Sequence, residues 1–190
     1  MAESSSSIFR RPVLADAGAV AATALLWIGA FYLNQWLFAA ATKTRFVSLV
    51  FLPAGVRILA VLVFGWSAAI GLFIGSVVTA APIWHLPAAL VPGLISALGP
   101  AAAVFVGTHS LQLRDDLGGI DLRQVAIISM ADGAFNAVPS NLFFWWRHRI
   151  ATPWQDVLPM FVGDLVGTFV LLYLGALALR LLLRARVGRP

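Results

Sequence analysis

The chain has 190 residues, 61% of them hydrophobic and 11% charged, against roughly a quarter charged in a soluble globular domain. That balance excludes a protein that covers its apolar surface in water, and at ~20 residues per span it leaves room for about six transmembrane helices but for no appended catalytic domain. The absence of cysteine excludes disulfides, thiolate metal sites and cysteine nucleophiles, while the net charge of +5 is carried mostly at span ends, where it reads as contact with anionic lipid rather than with nucleic acid.

Residues 1–12 read as a polar, disordered lead, with the serine run Ser4 to Ser7 followed by Arg10-Arg11-Pro12. An apolar stretch from Val13 to Ala41 follows. Ala39-Ala40-Ala41 resembles a signal cleavage site, but the apolar run exceeds the ~7–15 residues of a signal core, so a retained helix is expected. A second span is predicted over Phe46–Phe64, a tight turn at Gly65-Trp66 and a third span over Ser67–Ala81. Pro82–Pro87 reads as a loop, and Ala88–Thr108 as a fourth span containing Pro92, Gly93, Gly99 and Pro100. Residues 109–123 form the longest polar loop, in which Asp115-Asp116 with Gly118-Gly119 reads as a solvated turn. Spans five and six are predicted over Gln124–Trp146 and Val157–Leu179, with a basic tail at 184–190 closing a six-span domain of residues 13–183.

Basic residues set the expected orientation. With the N-terminus inside, the cytoplasmic segments hold Arg10, Arg11, Arg114, Arg123, Arg180, Arg184, Arg186 and Arg189, and the outer loops hold Lys43, Arg45, Arg147 and Arg149. The asymmetry predicts both termini in the cytoplasm of a multi-pass inner-membrane protein. The same topology sets Trp36, Trp84, Trp145, Trp146 and Trp154 at the outer interface, where an apolar ring with a polar N–H is favoured. His85 and His148 fall there as well. The spacing of His85, His109 and His148 gives no metal pair.

Gly71-x-x-x-Gly75 and Gly163-x-x-x-Gly167 are spaced for close helix packing. Phe73-Ile74-Gly75-Ser76-Val77-Val78 echoes Phe161-Val162-Gly163-Asp164-Leu165-Val166. The echo is compatible with a duplicated three-helix unit or with the ordinary small-residue vocabulary of helix contacts.

Three ionisable residues fall inside spans: Arg57, Asp132 and Asp164. An ionisable group in hydrocarbon is costly unless paired or wet. At about 1.5 Å per residue, Arg57 lies roughly 16 Å from the outer surface, Asp164 roughly 10 Å from the same side and Asp132 roughly 12 Å from the inner one. The two acids thus bracket the arginine in depth. Either the three form an ion-pair lock between helices, or they floor a polar cavity in which Arg57 also meets a ligand or a proton. Asp132 and Asn136 share a helix face. Pro139, flanked by Ser140 and Asn141, frees a backbone carbonyl, and irregular backbone at such depth survives only where protein or water satisfies it. The candidate ligand-binding residues are therefore Arg57, Asp132, Asn136, Asn141 and Asp164, for an unidentified small ligand, with no catalytic residue, metal or cofactor.

Phe51-Leu52-Pro53-Ala54-Gly55-Val56-Arg57, running through Gly65-Trp66 to Gly71-Leu72-Phe73-Ile74-Gly75, resembles the membrane-associated sensor domain (MASE) family, first type, and Phe161-Val162-Gly163-Asp164-Leu165-Val166-Gly167 resembles that family's Gly-Asp segment. The resemblance implies a sensory role in a bacterial inner membrane. The chain is shorter than that family's usual set of spans, no output domain follows Arg186, and Arg57 stands where the family is apolar. The implied form is a six-span sensor that acts through a signalling partner. Short, glycine-rich, interrupted spans also suit a small transporter or the substrate-capturing subunit of one, with a transporter partner. A structural subunit of a membrane complex is the third reading.

Overall fold

The computed structural model describes residues 17–44, 46–111 and 121–187. The polar lead, Arg45, the Asp115-Asp116 turn and the last residues of the tail lie outside the described residues. The fold is all-helical, with six α-helices and one short hairpin. In chain order they are α1 (Ala17–Leu37), β1 (Thr42–Thr44), β2 (Val47–Ser48), α2 (Pro53–Phe64), α3 (Trp66–Trp84), α4 (Leu90–Leu111), α5 (Leu122–Trp146) and α6 (Val157–Val187).

Among the described residues, four helices are long and apolar enough to cross a membrane: α1, α3, α4 and α6. The expected six spans are therefore met only in part. Helix α5 has 25 residues, which is ample length, but Ser129, Asp132, Asn136, Ser140 and Asn141 dilute its hydropathy. All five are buried against other helices. Helix α2 has only 12 residues, about 18 Å at a helical rise, well short of a ~30 Å hydrocarbon core.

The short helix α2 is the centre of the bundle. It touches each of the other five helices, and from Pro53 to Leu62 only Leu59 is not buried. An apolar helix without a polar face belongs in an interior. Around it, α1 packs on α3, α3 on α4, α4 on α5, and α5 on α6. Gly65 alone joins α2 to α3 at φ 57°, a conformation that a side chain disfavours, as the sequence expects of this turn.

The second predicted span differs most from the structure. Residues 46–52 are not helical. They run as β2 and a bent, non-helical connection into Pro53, whose ring suits the first turn of a helix. β1 and β2 pair antiparallel, Thr42 opposite Ser48 and Thr44 opposite Val47. Distant groups satisfy the irregular backbone: Phe51 N–H donates to the Gly163 carbonyl at 3.0 Å, and Leu52 N–H donates to Asn34 Oδ1 at 2.8 Å. Smaller differences concern ends. Helix α3 carries Pro82 within its last turn rather than ending before it, and α6 continues through the expected tail to Val187.

The glycine pairs lie at close contacts, with different partners. A Cβ on Gly71 would meet Val20 O at 2.5 Å, and one on Gly75 would meet the Trp27 ring at 2.9 Å, so α3 lies directly on α1. Cβ atoms on Gly163 and Gly167 would overlap the carbonyls of Ser48 and Phe51. The second pair thus packs against extended chain, not against a helix. The two echoing segments make unlike contacts.

Trp84 corrects the expected interface belt. Only 6% exposed, it stacks with Phe46 and Phe144 at ring-centroid distances of 5.2 and 5.7 Å, and the Arg149 guanidinium lies over it. Trp36, Trp145, Trp146 and Trp154 are exposed, as an interfacial role requires.

Candidate functional site

Arg57 projects from the early turns of α2 into the space between α5 and α6. Its Nη2 donates to Asp132 Oδ2 at 3.1 Å and to Asp164 Oδ2 at 2.9 Å. Asn136, one turn after Asp132 on α5, donates its amide to the same Asp164 oxygen at 2.7 Å. The side chains of Arg57, Asp132 and Asp164 are only 1–2% exposed. The charges expected from the sequence to meet do meet, and Arg57 engages both acids at once.

Local sequence explains the convergence. Gly55 lets α2 approach α6, where a Cβ would stand 3.2 Å from the Thr168 backbone. That approach brings Arg57 within reach of Asp164, while Thr168 Oγ1 donates to the Asp164 carbonyl at 2.8 Å. On α5, Pro139 has no N–H for the Phe135 carbonyl. Gly99 of α4 faces that broken turn, its Cβ position 3.6 Å from Phe135 O and 3.7 Å from Asp132 Oδ1.

A cavity of about 140 Å³ extends from the hairpin to Arg57, roughly ten times the ~10–15 Å³ that one water requires. Its upper wall is aromatic, with Phe46, Trp84 and Phe144. Lower down, Ser76 and Thr79 of α3, Ser96 of α4, and Asn136 and Ser140 of α5 turn polar groups toward it. Several of these groups are already ordered: Ser76 donates to Ser96 Oγ at 3.1 Å, and Trp27 Nε1 donates to Thr79 Oγ1 at 3.2 Å. The lining comes from the C-terminal halves of α1, α3 and α5 and the N-terminal halves of α4 and α6. The helices therefore alternate in direction, and the cavity occupies the hairpin end.

The expected site residues divide into two groups. Arg57 and Asn136 line the cavity. Asp132 and Asp164 do not. They stand behind Arg57 and hold it. Asn141 does not line it either, which corrects its expected place among the ligand-binding residues. It is fully buried, donates to the Ala137 carbonyl at 2.9 Å and lies 3.6 Å from Met160 Sδ. The physical reason is angular. Ser140, four residues after Asn136, repeats its helix face, and Asn141 is turned about a quarter revolution further, toward α6.

Sequence reasoning did not find Asn34 or the pair formed by Lys43 and Asp156. Lys43 Nζ donates to Asp156 Oδ1 at 2.9 Å and ties the hairpin to the residue preceding α6. Asp156 is 0% exposed. An acid abutting the apolar start of α6 was the available signal. Among the described residues, no three His, Cys, Asp or Glu side chains gather as a metal site would require.

No family model, curated protein or solved structure matches the chain.

Proposed function

We propose that the chain is a bacterial inner-membrane sensory protein of six spans, with both termini cytoplasmic, that receives a small ligand in the cavity above Arg57 and signals through a partner protein. The observation that carries this reading is the cavity itself: about 140 Å³, aromatic above, lined by hydroxyls and an amide below, and ending on a buried arginine. Concave sites with apolar walls and a few convergent polar groups are where small ligands bind. The fitting ligand has a flat apolar portion and several hydrogen-bonding groups. The resemblance of the α2–α3 and α6 segments to the sensor-domain family supports sensing. Helices alternating in direction support an even number of crossings, with α2 and the hairpin together completing one of them. The basic asymmetry then supports a cytoplasmic side for the ends away from the cavity.

One observation favours a second reading, a substrate-capturing transporter subunit. Helix α2 starts inside the bundle, after non-helical chain, at the cavity, and interrupted helices of that kind surround transport sites. A thermal-shift screen of small molecules against the purified wild type and Ser140→Trp tests the ligand site. Compounds that stabilise the wild type and not the blocked variant support it, and a screen in which both respond alike refutes it. Crosslinking and pulldown separate the readings, since a kinase or cyclase partner supports sensing and an ATPase module supports transport.

A further inference from the structure

Charge does not balance at the floor of the cavity. Arg57 is the one cation of the cluster, and it faces two carboxylates. Among the described residues, the elements packed around it bring no other cation to it: α1 and α3 contain no Asp, Glu, Lys, Arg or His, α4 presents Gly99 and carries only the exposed His109, and on α5 and α6, which contribute Asp132 and Asp164, the residues Arg123, Arg180 and Arg184 are exposed and more than two turns from the acids. With both acids ionised, the cluster holds a net negative charge at 1–2% exposure. Burial of an uncompensated ion is far less favourable than its neutralisation.

We propose that the Arg57–Asp132–Asp164 cluster binds one proton, carried on Oδ1 of Asp132, and that cavity occupancy is linked to it. Hydrogen bonding assigns the carrier. Asp164 Oδ2 accepts from two donors, Arg57 at 2.9 Å and Asn136 at 2.7 Å, and donors converging on one oxygen favour the carboxylate. Asp132 Oδ2 accepts one bond, the longer one, at 3.1 Å. Oδ1 of each acid is buried without a partner among the described residues, so the donors on Oδ2 decide, and they leave Asp132 the less satisfied acid. Asp132 Oδ1 borders the same Gly99 face as the Phe135 carbonyl, the acceptor deprived of its helical donor by Pro139. Protonation forms one O–H bond on Oδ1 and takes the cluster from net −1 to neutral. The link to occupancy rests on the cavity's being a ligand site. Arg57 and Asn136 both line it and both hold Asp164, so a ligand accepting a hydrogen bond from either alters the hold on the proton, and ligand affinity changes reciprocally with pH.

Infrared spectroscopy of the purified full chain in lipid nanodiscs counts the proton with no ligand present, so its outcome is separable from that of the ligand screen. At pH 7 the wild type is expected to show the carbonyl stretch of one interior carboxylic acid per chain. The band is lost in Asp132→Asn and in Asp164→Asn, because each leaves one arginine facing one carboxylate. Thermal unfolding then assigns the carrier. Asp132→Asn keeps the wild-type midpoint, since the amide replaces a neutral acid, whereas Asp164→Asn lowers it. A wild type without the band at pH 7, a band that survives Asp132→Asn, or an Asp132→Asn midpoint as low as that of Asp164→Asn overturns the proposal. A wild type lacking the band but stabilised by sodium and not by potassium overturns it in favour of a metal cation.

Discussion

Replacing Gly167 with alanine adds one methyl group where α6 meets the chain entering α2. The new Cβ would overlap the Phe51 carbonyl and stand 2.7 Å from Phe51 N. Phe51 has little freedom to retreat. Its N–H is bonded to the Gly163 carbonyl at 3.0 Å, and the next residue is held by Asn34 at 2.8 Å. Overpacking of a close-packed interior costs about 1–3 kcal/mol, and a stretched or lost backbone hydrogen bond adds about 1 kcal/mol. The expected total is about 2–4 kcal/mol, or a fall in Tm of roughly 4–16 °C for a chain of this size. The control lies on the same helix: Gly175 has nothing within 4 Å of its Cβ position, so Gly175→Ala is expected to be neutral or mildly stabilising through helix propensity. Thermal unfolding of both variants in one detergent makes the comparison. If Gly167→Ala melts with Gly175→Ala, the segment entering α2 does not lie on α6, and the placement of Arg57 beside Asp164 loses its frame.

Other variants test the remaining contacts. Arg57→Met strands the buried Asp164 carboxylate and removes the donor to Asp132, and is expected to cost about 3–5 kcal/mol; adding Asp132→Asn and Asp164→Asn should restore most of it, and a triple variant as unstable as the single one would contradict the charged cluster. Asn34→Leu leaves the buried Leu52 N–H without its acceptor, with an expected loss of about 1–3 kcal/mol by denaturant titration, whereas an unchanged midpoint would mean that the N–H has another partner. Lys43→Ala leaves Asp156, at 0% exposure, without its cation, so faster proteolysis at the hairpin is expected, and wild-type cleavage rates would count against the tie.

The charged cluster was legible because few alternatives exist for its members. An arginine and two aspartates within apolar runs must find one another or water, and helical rise alone set them at neighbouring depths. What sequence could not show was the route of the chain between them. Apart from Ser48 and Arg57, Phe46 to Phe64 carries no polar side chain, and local pattern reads it as one span. Its first seven residues instead depart from helix, with Asn34 and the Gly163 carbonyl, each distant in sequence, taking up the N–H groups of Leu52 and Phe51. Trp84 misled for a related reason. A tryptophan at a span end reads as an interface anchor unless Phe46 and Phe144, remote along the chain, are known to cover it.

That hidden departure accounts for the site. Had the second span been a full helix, its first turns would occupy the region above Pro53. At 12 residues, α2 is about 18 Å long, and the hairpin covers the remaining height without filling it. The cavity lies where helix is missing, and the first ionisable residue beneath it is Arg57. Residues that line it from α3, α4 and α5 are small or hydroxyl-bearing at Ser76, Ser96 and Ser140, so they leave the space open instead of packing into it. The short helix, the non-helical connection and the serines are thus one arrangement. Lengthening α2 toward the hairpin would remove the cavity and bury Arg57 beneath helix, leaving the cluster of Arg57, Asp132 and Asp164 intact but out of reach of any ligand.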